Sequence, residues 1–387
     1  MSQASGPLAG VKVLEIGGIG PGPFSAMMLA DMGADVLRID RPGGSLMGPA
    51  DPRHNTLHRG RRSVVLDVRS PEGLEVLLSL VEFADVLLET FRPGVAERLG
   101  IGPDACLGRN DHLVYARMTG WGQDGPLSLT AGHDLTYIAR TGVLDAIGTE
   151  QTPIVPLNVV GDFGGGGAFA VIGIIAALYA VQRGGPGQVV DVAITEGTAL
   201  LSTGIRQMVL GGLWEGPRGE NAMDGGCPWY TTYPTADRRH VAVAPLEPQF
   251  YAAFLHLLDL DQLSDQDRDD TSTWPGLRQA FAERFASENL DHWDKIFSDS
   301  DACVAPVRTF TEAAHDEQLA ARGTFVEHDG VLQPAPSPRF SATPSRIQNP
   351  PPVTGADTRQ ALTAWGIEDV DGLIARGTAH DATRSPA

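Results

Sequence analysis

The chain has little cysteine. Its three thiols, Cys106, Cys227 and Cys303, are scattered through 387 residues. An odd number without paired spacing excludes a disulfide framework and a zinc cluster. It predicts a reducing, cytoplasmic setting and no metal. Long apolar runs are also missing. The longest, residues 168–181, is too short to cross a bilayer and ends in Gln182 and Arg183, so no membrane is expected. The opening "MSQASGPLAG" has neither the basic start nor the apolar centre of a signal peptide, and the closing "TRSPA" is not a peroxisomal tripeptide. Positive charge is outnumbered: 29 Lys and Arg stand against 48 Asp and Glu, a net charge of -19. That excludes nucleic acid as the expected partner and favours solubility.

What cationic charge there is concentrates near one end. Arg38, Arg41, Arg53, Arg59, Arg61, Arg62, Arg69, Arg92 and Arg98 all lie in the first hundred residues. A local cationic site in an acidic protein points to a small anionic ligand. The same arginines could equally do no more than balance neighbouring carboxylates.

The chain length predicts two domains. In the first half, short β-branched runs alternate with amphipathic helical stretches. "VKVLEI", "DVLRI", "SVVLD", "DVLLE", "LVYAR" and "GQVVDVA" read as strands. "FSAMMLADMGA" reads as a helix stopped by Gly33, and "SPEGLEVLLSLVEFA" as a helix capped by Ser70 with Pro71 in its first turn. This alternation predicts an α/β fold with a doubly wound parallel sheet. A long helix is expected from Thr195. After Asn221 the pattern becomes that of a smaller α+β domain, with "HVAVA", a helix over "EPQFYAAFLHLL", helices near 274–287 and 290–297, and a strand in "ACVAPV". The expected boundaries are a large domain at 1–190, a linker helix region at 191–224, a small domain at 225–330, and a Pro-rich linker returning to the large domain at 331–387. "TRQALTAWG" is the last expected helix, with fraying from about Thr378.

"GGIGPGPF" follows a strand and precedes a helix, as a dinucleotide fingerprint does. The glycine spacing then fails at Pro23, and Asp40 follows a broken fingerprint. A tight turn, with or without a ligand near its backbone, remains. His133 lies between a glycine-rich loop and a helix, beside Asp134; alone it carries no chemistry. Asp162, 29 residues on, stands before four glycines in "GDFGGGGA". It reads either as a helix N-cap or as a carboxylate beside a ligand that bulkier residues would block. Glu247, in "LEPQF", is at least a first-turn helix acid.

Taken together these segments resemble the class III CoA-transferase superfamily, and among its members the acyl-CoA racemases. The matching stretches include "VLEIGGIGPGPFSAMMLADMGADVLRIDRP", "RGRRSVVLDVRSPEG", "FRPGVAERLGIGP", "PLNVVGDFGGGGAFAVIGIIAAL" and "DGGCPWYTTYPTADRRHVAVAPLEPQFYAAF". The resemblance implies a large Rossmann-like domain that uses no nucleotide cofactor, a smaller α+β domain, and two chains interlocked as a homodimer. It implies racemisation of 2-methylacyl-CoA thioesters through an enolate. His133 and Asp162 match the acid/base pair, and Glu247 matches the acid that orients the histidine. Asp134 matches the residue whose backbone N–H faces the thioester oxygen. Arg38, Leu66, Arg69, Arg92 and Arg98 match positions near coenzyme A, which enters as part of the substrate, so no cofactor is expected. The glycines would then leave room for the thioester.

Two other readings compete. A CoA-transferase of the same superfamily would use Asp162 as a nucleophile. It would leave His133 without a task, and it would carry a longer glycine run where this chain has only Gly225 and Gly226 before Cys227 and Pro228. A non-catalytic acyl-CoA-binding protein would keep the arginines and have no use for His133, Asp162 and Glu247 together.

Overall fold

The computed structural model describes residues 5–43, 49 and 51–382. The chain divides into two compact units. One holds residues 1–141, 157–201 and 320–387, and the other holds 142–156 and 202–319.

The larger unit is built on a sheet whose six parallel strands are β1 (Lys12–Ile16), β2 (Asp35–Asp40), β3 (Arg61–Leu66), β4 (Val86–Glu89), β5 (Val114–Thr119) and β6 (Gln188–Ala193). Their order across the sheet is β3-β2-β1-β4-β5-β6, and the short strand Ala379–His380 adds antiparallel to β3. This is a mixed α/β fold with a predominantly parallel sheet. The order reverses between β1 and β4, which opens a crevice at their carboxyl ends.

Alternate residues of each strand serve opposite faces. Leu14, Ile16, Leu37, Ile39, Val64 and Leu66 meet Leu77, Leu80 and Val81 of helix α2 (Pro71–Val81) on one side. Val13, Val36, Val86, Leu88, Val114 and Ala116 meet Ala26, Leu29 and Ala30 on the other. These last three lie on helix α1 (Pro21–Asp31). With both faces covered, the strands can be apolar throughout, and each buried Val or Leu contributes roughly 1.5–3 kcal/mol. The Ser70 hydroxyl accepts from the Gly73 N–H at 3.0 Å, so the expected cap of α2 is present.

The remaining helices of the larger unit include the single turn α3 (Val95–Arg98), α4 (Pro103–Arg109), α5 (Asp134–Thr141), α6 (Phe169–Gln182) and α7 (Ile194–Leu201). The smaller unit contains α8 (Thr203–Leu210), an antiparallel sheet of β7 (Thr231–Pro234), β8 (His240–Val243) and β9 (Val304–Pro306), and helices α9 (Pro248–Leu257), α10 (Trp274–Phe285) and α11 (Leu290–Phe297). Its core is aromatic: Trp229, Tyr233, Tyr251, Phe254, Phe281, Phe285, Trp293 and Phe297 are all buried. It has the α+β character the sequence predicts.

Several details differ from expectation. The units do not change at 190, 224 and 330. Strand β6 and helix α7 belong to the larger unit because β6 completes the parallel sheet. Residues 142–156 join the smaller unit, where the Arg218 guanidinium donates to the Asp145 and Thr149 carbonyls. The helix expected from Thr195 is two helices that meet at Ser202. Fraying does not begin at Thr378, since Ala379 and His380 pair with Leu66 and Val65; residues 383–387 lie outside the described ones. A helix at Val370–Ala375 went unforeseen, and its Asp369 cap holds the Gly372 N–H. Residues 157–182 form a run of 26 residues, long and apolar enough to cross a membrane by length and composition, in which a kink at Asn158 precedes the π-type turns of Val160–Ala168 and then α6. The apolar stretch at 168–181 is lengthened by the glycine-rich wide turns before it. One face of this run packs on the sheet through Ala170, Val171, Ile174 and Ala177.

Candidate active site

The crevice between β1 and β4 is made by glycine. Gly20 has φ 66°, a left-handed conformation that suits glycine and turns the chain into α1. A Cβ on Gly18 would stand 2.3 Å from Thr90 Oγ1, and one on Gly22 2.5 Å from Thr90 Cγ2. The two strand exits therefore touch backbone to side chain. "GGIGPG" is a close-approach turn, not a nucleotide fingerprint.

Two cavities adjoin at this point, sharing Ile19 and Phe91. One, about 340 Å³, is lined by Gly17, Gly18, Arg38, Asp40, Arg41, Leu66 and Arg69. The other, about 440 Å³, is lined by Gly20, Thr90, Arg92, Trp121, His133, Tyr137 and Asp162. The structure thus brings His133, Asp162 and Arg92 together in one cavity, and Leu66 and Arg69 in the next.

The backbone of His133 is held at the entry to α5. Its N–H donates to the Thr136 hydroxyl at 3.0 Å, and its carbonyl accepts from that hydroxyl at 2.7 Å. The Tyr137 hydroxyl donates to the Gly132 carbonyl at 2.5 Å. The Tyr137 ring fills the space where Cβ atoms of Gly120 and Gly132 would stand, 2.0 and 2.4 Å away. These contacts fix the peptide and leave the imidazole exposed toward the cavity.

Asp162 is not an N-cap. It lies inside wide, π-type helical turns spanning Val160–Ala168, an irregularity frequent at functional sites. Its own N–H donates to Asp134 Oδ1 at 2.7 Å, and Asn158 Nδ2 approaches its Oδ2 at 3.5 Å. Asp134 is buried in the first turn of α5, where the helix N-terminus favours a carboxylate. Partial burial, and then the negative charge of Asp134, push the Asp162 carboxyl above its ordinary range, while Asn158 and His133 pull it down. A carboxyl raised in this way can hold or release a proton closer to neutrality than a solvated aspartate does.

The glycines after Asp162 serve packing rather than ligand room. A Cβ on Gly165 would lie 2.5 Å from Thr198 Oγ1 and 2.9 Å from the Ile194 carbonyl. Gly166 abuts Ile194 and Met118, and Gly167 abuts Phe24. From the other side, a Cβ on Gly197 would lie 1.9 Å from the Gly165 carbonyl oxygen. The turns carrying Asp162 are pressed against α7 at a glycine-to-glycine crossing. The glycine that faces the carboxylate is Gly20, 3.6 Å from Asp162 Oδ2 by the same measure.

The arginines sort into two groups. Arg38 is 3 % exposed; it pairs with Glu15 at 2.8 Å and Asp40 at 2.9 Å. Arg61 pairs with Glu15 at 2.5 Å, and Arg59 with Asp31 at 2.6 Å. Arg62 and Arg53 are bound by Asp35 and Asp51. These five balance carboxylates, and Arg38 reaches its cavity only as part of a buried ionic network. Arg69 and Arg92 are exposed on cavity walls. Arg98 is exposed on α3 beside Gly94 and lines neither cavity.

Glu247 stands in the smaller unit as the residue before α9. It is exposed, and its side chain caps no N–H. Among the described residues no group of three or more His, Cys, Asp and Glu is arranged to hold a metal ion. Sequence reasoning missed Asn158, Thr90 and Tyr137. Asn158 precedes Asp162 by four residues, a helical spacing visible in the sequence but hidden because glycines argued against a helix there.

The family model for CoA-transferase family III matches residues 8–358. The chain belongs to CoA-transferase family III. It is 43% identical to the α-methylacyl-CoA racemase of Mus musculus over 93% of this chain and 93% of that protein. The human α-methylacyl-CoA racemase is also 43% identical, over 93% of this chain and 94% of its own length. A CAIB/BAIF family protein from Brucella suis, solved by crystallography, superposes with a TM-score of 0.81 at 25% identity, covering 93% of this chain and all of that one. In this family III chain Gly17–Pro21, Arg92, His133 and Asp162 of the quoted motifs line the two adjoining cavities.

Proposed function

We propose that this family III protein racemises 2-methylacyl-CoA thioesters by removing and returning the α-proton. The observation that carries the reading is that His133 and Asp162 line one cavity, with the Asp162 carboxyl raised toward neutrality. One of the two takes the α-proton while the charge moves to the thioester oxygen, and the other delivers a proton to the opposite face. Each turnover leaves the pair with its proton exchanged between histidine and aspartate. The reverse epimer uses the same pair in the opposite roles. The enolate oxygen needs a donor, and the Asp134 N–H at the start of α5 is the group we assign to it. Arg69 and Arg92 are assigned to the phosphates of coenzyme A. The reading calls for no further cofactor.

We further propose a homodimer in the cytoplasm. Ile172, Tyr179, Leu200 and Leu201 are 61 %, 60 %, 61 % and 53 % exposed in the single chain, more apolar surface than a solitary α/β unit ordinarily leaves open. A second copy would cover these side chains and bring its Glu247 to the His133 of the first.

The deciding experiment incubates each pure epimer of a 2-methylacyl-CoA in D2O. Inversion with α-deuterium should occur without an added acid acceptor. His133→Ala should abolish inversion and keep slow wash-out from one epimer, and Asp162→Ala should keep it from the other. Removal of one acid/base group costs about 10²–10⁴-fold, so the assay must span that range. A His133→Ala enzyme that inverts at the normal rate would overturn the two-base mechanism, whereas activity that needs an added acid acceptor and survives His133→Ala would point to the transferase, in which Asp162 alone is essential. Mixing His133→Ala and Glu247→Ala dimers under subunit exchange tests the shared site, and no return of activity would remove it.

A further inference from the structure

The segment "SDQDRDD" surrounds Arg268 with four aspartates, Asp265, Asp267, Asp269 and Asp270. Among the described residues Arg268 forms no ion pair with any of them. Asp267 and Asp270 instead accept main-chain N–H groups within their own loop. The Arg268 guanidinium lies 4.4 Å from the Tyr251 ring centroid and 5.1 Å from that of Trp229. Both rings are buried, and they meet edge-on at 5.7 Å. From this slot Nη1 donates to the Leu246 carbonyl at 3.1 Å and reaches the Pro245 carbonyl at 3.4 Å. The main chain of Arg268 is fixed as well, because Trp274 Nε1 donates to its carbonyl at 2.9 Å.

Those two carbonyls belong to the residues immediately before Glu247. On the other side the Tyr251 N–H donates to the Glu247 carbonyl at 3.0 Å. The Glu247 peptide is therefore gripped from both ends, while its carboxylate stays uncommitted. An arginine that forgoes aspartates for an aromatic slot and two carbonyls is placed for geometry. Its planar fork suits this, and lysine cannot reproduce both the stacking and the directed donation.

We infer that Arg268 is a positioning residue for Glu247, a role that rests on the reading that Glu247 orients the catalytic histidine. The test measures kcat and KM for Arg268→Met, Arg268→Lys, Glu247→Gln and the double variant Arg268→Met/Glu247→Gln, with a melting curve for each. Misplacement on the ångström scale costs up to about 10²-fold, so Arg268→Met should lower kcat roughly ten- to a hundredfold with KM little changed. Arg268→Lys should recover part of the loss. In the Glu247→Gln background the Met substitution should cost less than about twofold, because nothing is left to position. Equal costs in both backgrounds would show a general structural effect and overturn the inference, as would a fully active Arg268→Met. A fully active Glu247→Gln strikes the role of Glu247 itself, and the positioning role falls with it.

Discussion

Adding one methyl group at the crossing of α7 with the turns of Asp162 should separate two effects of glycine. In an open helix, Gly→Ala stabilises by up to about 1 kcal/mol. Gly276 of α10 has nothing within 4 Å of its would-be Cβ, and Gly276→Ala should show that gain. Gly197→Ala has the same propensity gain and a different neighbour. Its Cβ would begin 1.9 Å from the Gly165 carbonyl oxygen, whereas ordinary contact begins at 3.4 Å, so the two elements must part by about 1.5 Å. The obstacle is backbone and cannot rotate away. Overpacking of this kind costs typically 1–3 kcal/mol, occasionally more. Net of propensity, Gly197→Ala should lose stability, up to about 2 kcal/mol in the ordinary range. Gly165 lies three residues after Asp162 in the same turns, so the displacement reaches the carboxylate. A shift near 1 Å is worth roughly a hundredfold in rate, and kcat should fall on that scale. Denaturant unfolding and single-epimer exchange in D2O measure the two quantities. Gly197→Ala matching Gly276→Ala in stability and the wild type in kcat would refute the packing argument.

Three further outcomes follow from the electrostatics. Asp134→Asn removes the second cause of the raised Asp162 carboxyl, so the acid limb of kcat/KM against pH should move to lower pH for both epimers, and an unmoved limb would sever the two aspartates electrostatically. Arg69→Ala and Arg92→Ala should each raise KM with kcat nearly unchanged; charge-assisted contacts are worth roughly 1.5–3 kcal/mol, and equilibrium CoA binding unchanged in both would move the phosphates elsewhere. Arg38→Ala should instead lower stability by about 3–5 kcal/mol, because it leaves buried Asp40 without its cation and Glu15 with Arg61 alone, and an unchanged melting curve with weakened CoA binding would return Arg38 to the ligand.

The sheet was legible because its strands obey a local rule. Runs of four to six apolar residues between capped helices have few alternatives to a parallel sheet covered on both faces, and Ser70 with Pro71 marked the start of α2 in the sequence itself. Asp162 was harder to read. Four glycines argue against helix by propensity, and yet the turns of Val160–Ala168 that carry them are helical and run on into α6. Tertiary packing decides there: Gly165 and Gly197 are small because another backbone occupies the side-chain space, and that backbone is remote in sequence. The same limit explains Ala379–His380, a two-residue strand that exists only because the edge of β3 is open to it.

The arginines show why composition alone could not place the anion site. Nine in the first hundred residues fit a phosphate cluster and charge balance alike. The fold divides them by depth. Glu15, Asp31 and Asp40 lie on the strands and helix nearest the crevice, and each is 7 % exposed or less. Three buried carboxylates require buried cations, which Arg38, Arg59 and Arg61 supply. Arg69 and Arg92, exposed on the cavity walls, follow strand ends in loops and balance no buried carboxylate. An arginine within a strand, opposite an acid on the neighbouring strand, is therefore drawn into the scaffold, whereas Arg69 and Arg92, in loops past strand ends, face the cavities. Arg38 pairs in register with Glu15, its salt-bridge partner across β1 and β2. Adjacent strands of a parallel sheet make that pairing inferable from sequence once the strand order is known. The order, not the count of arginines, is what the sequence reading lacked.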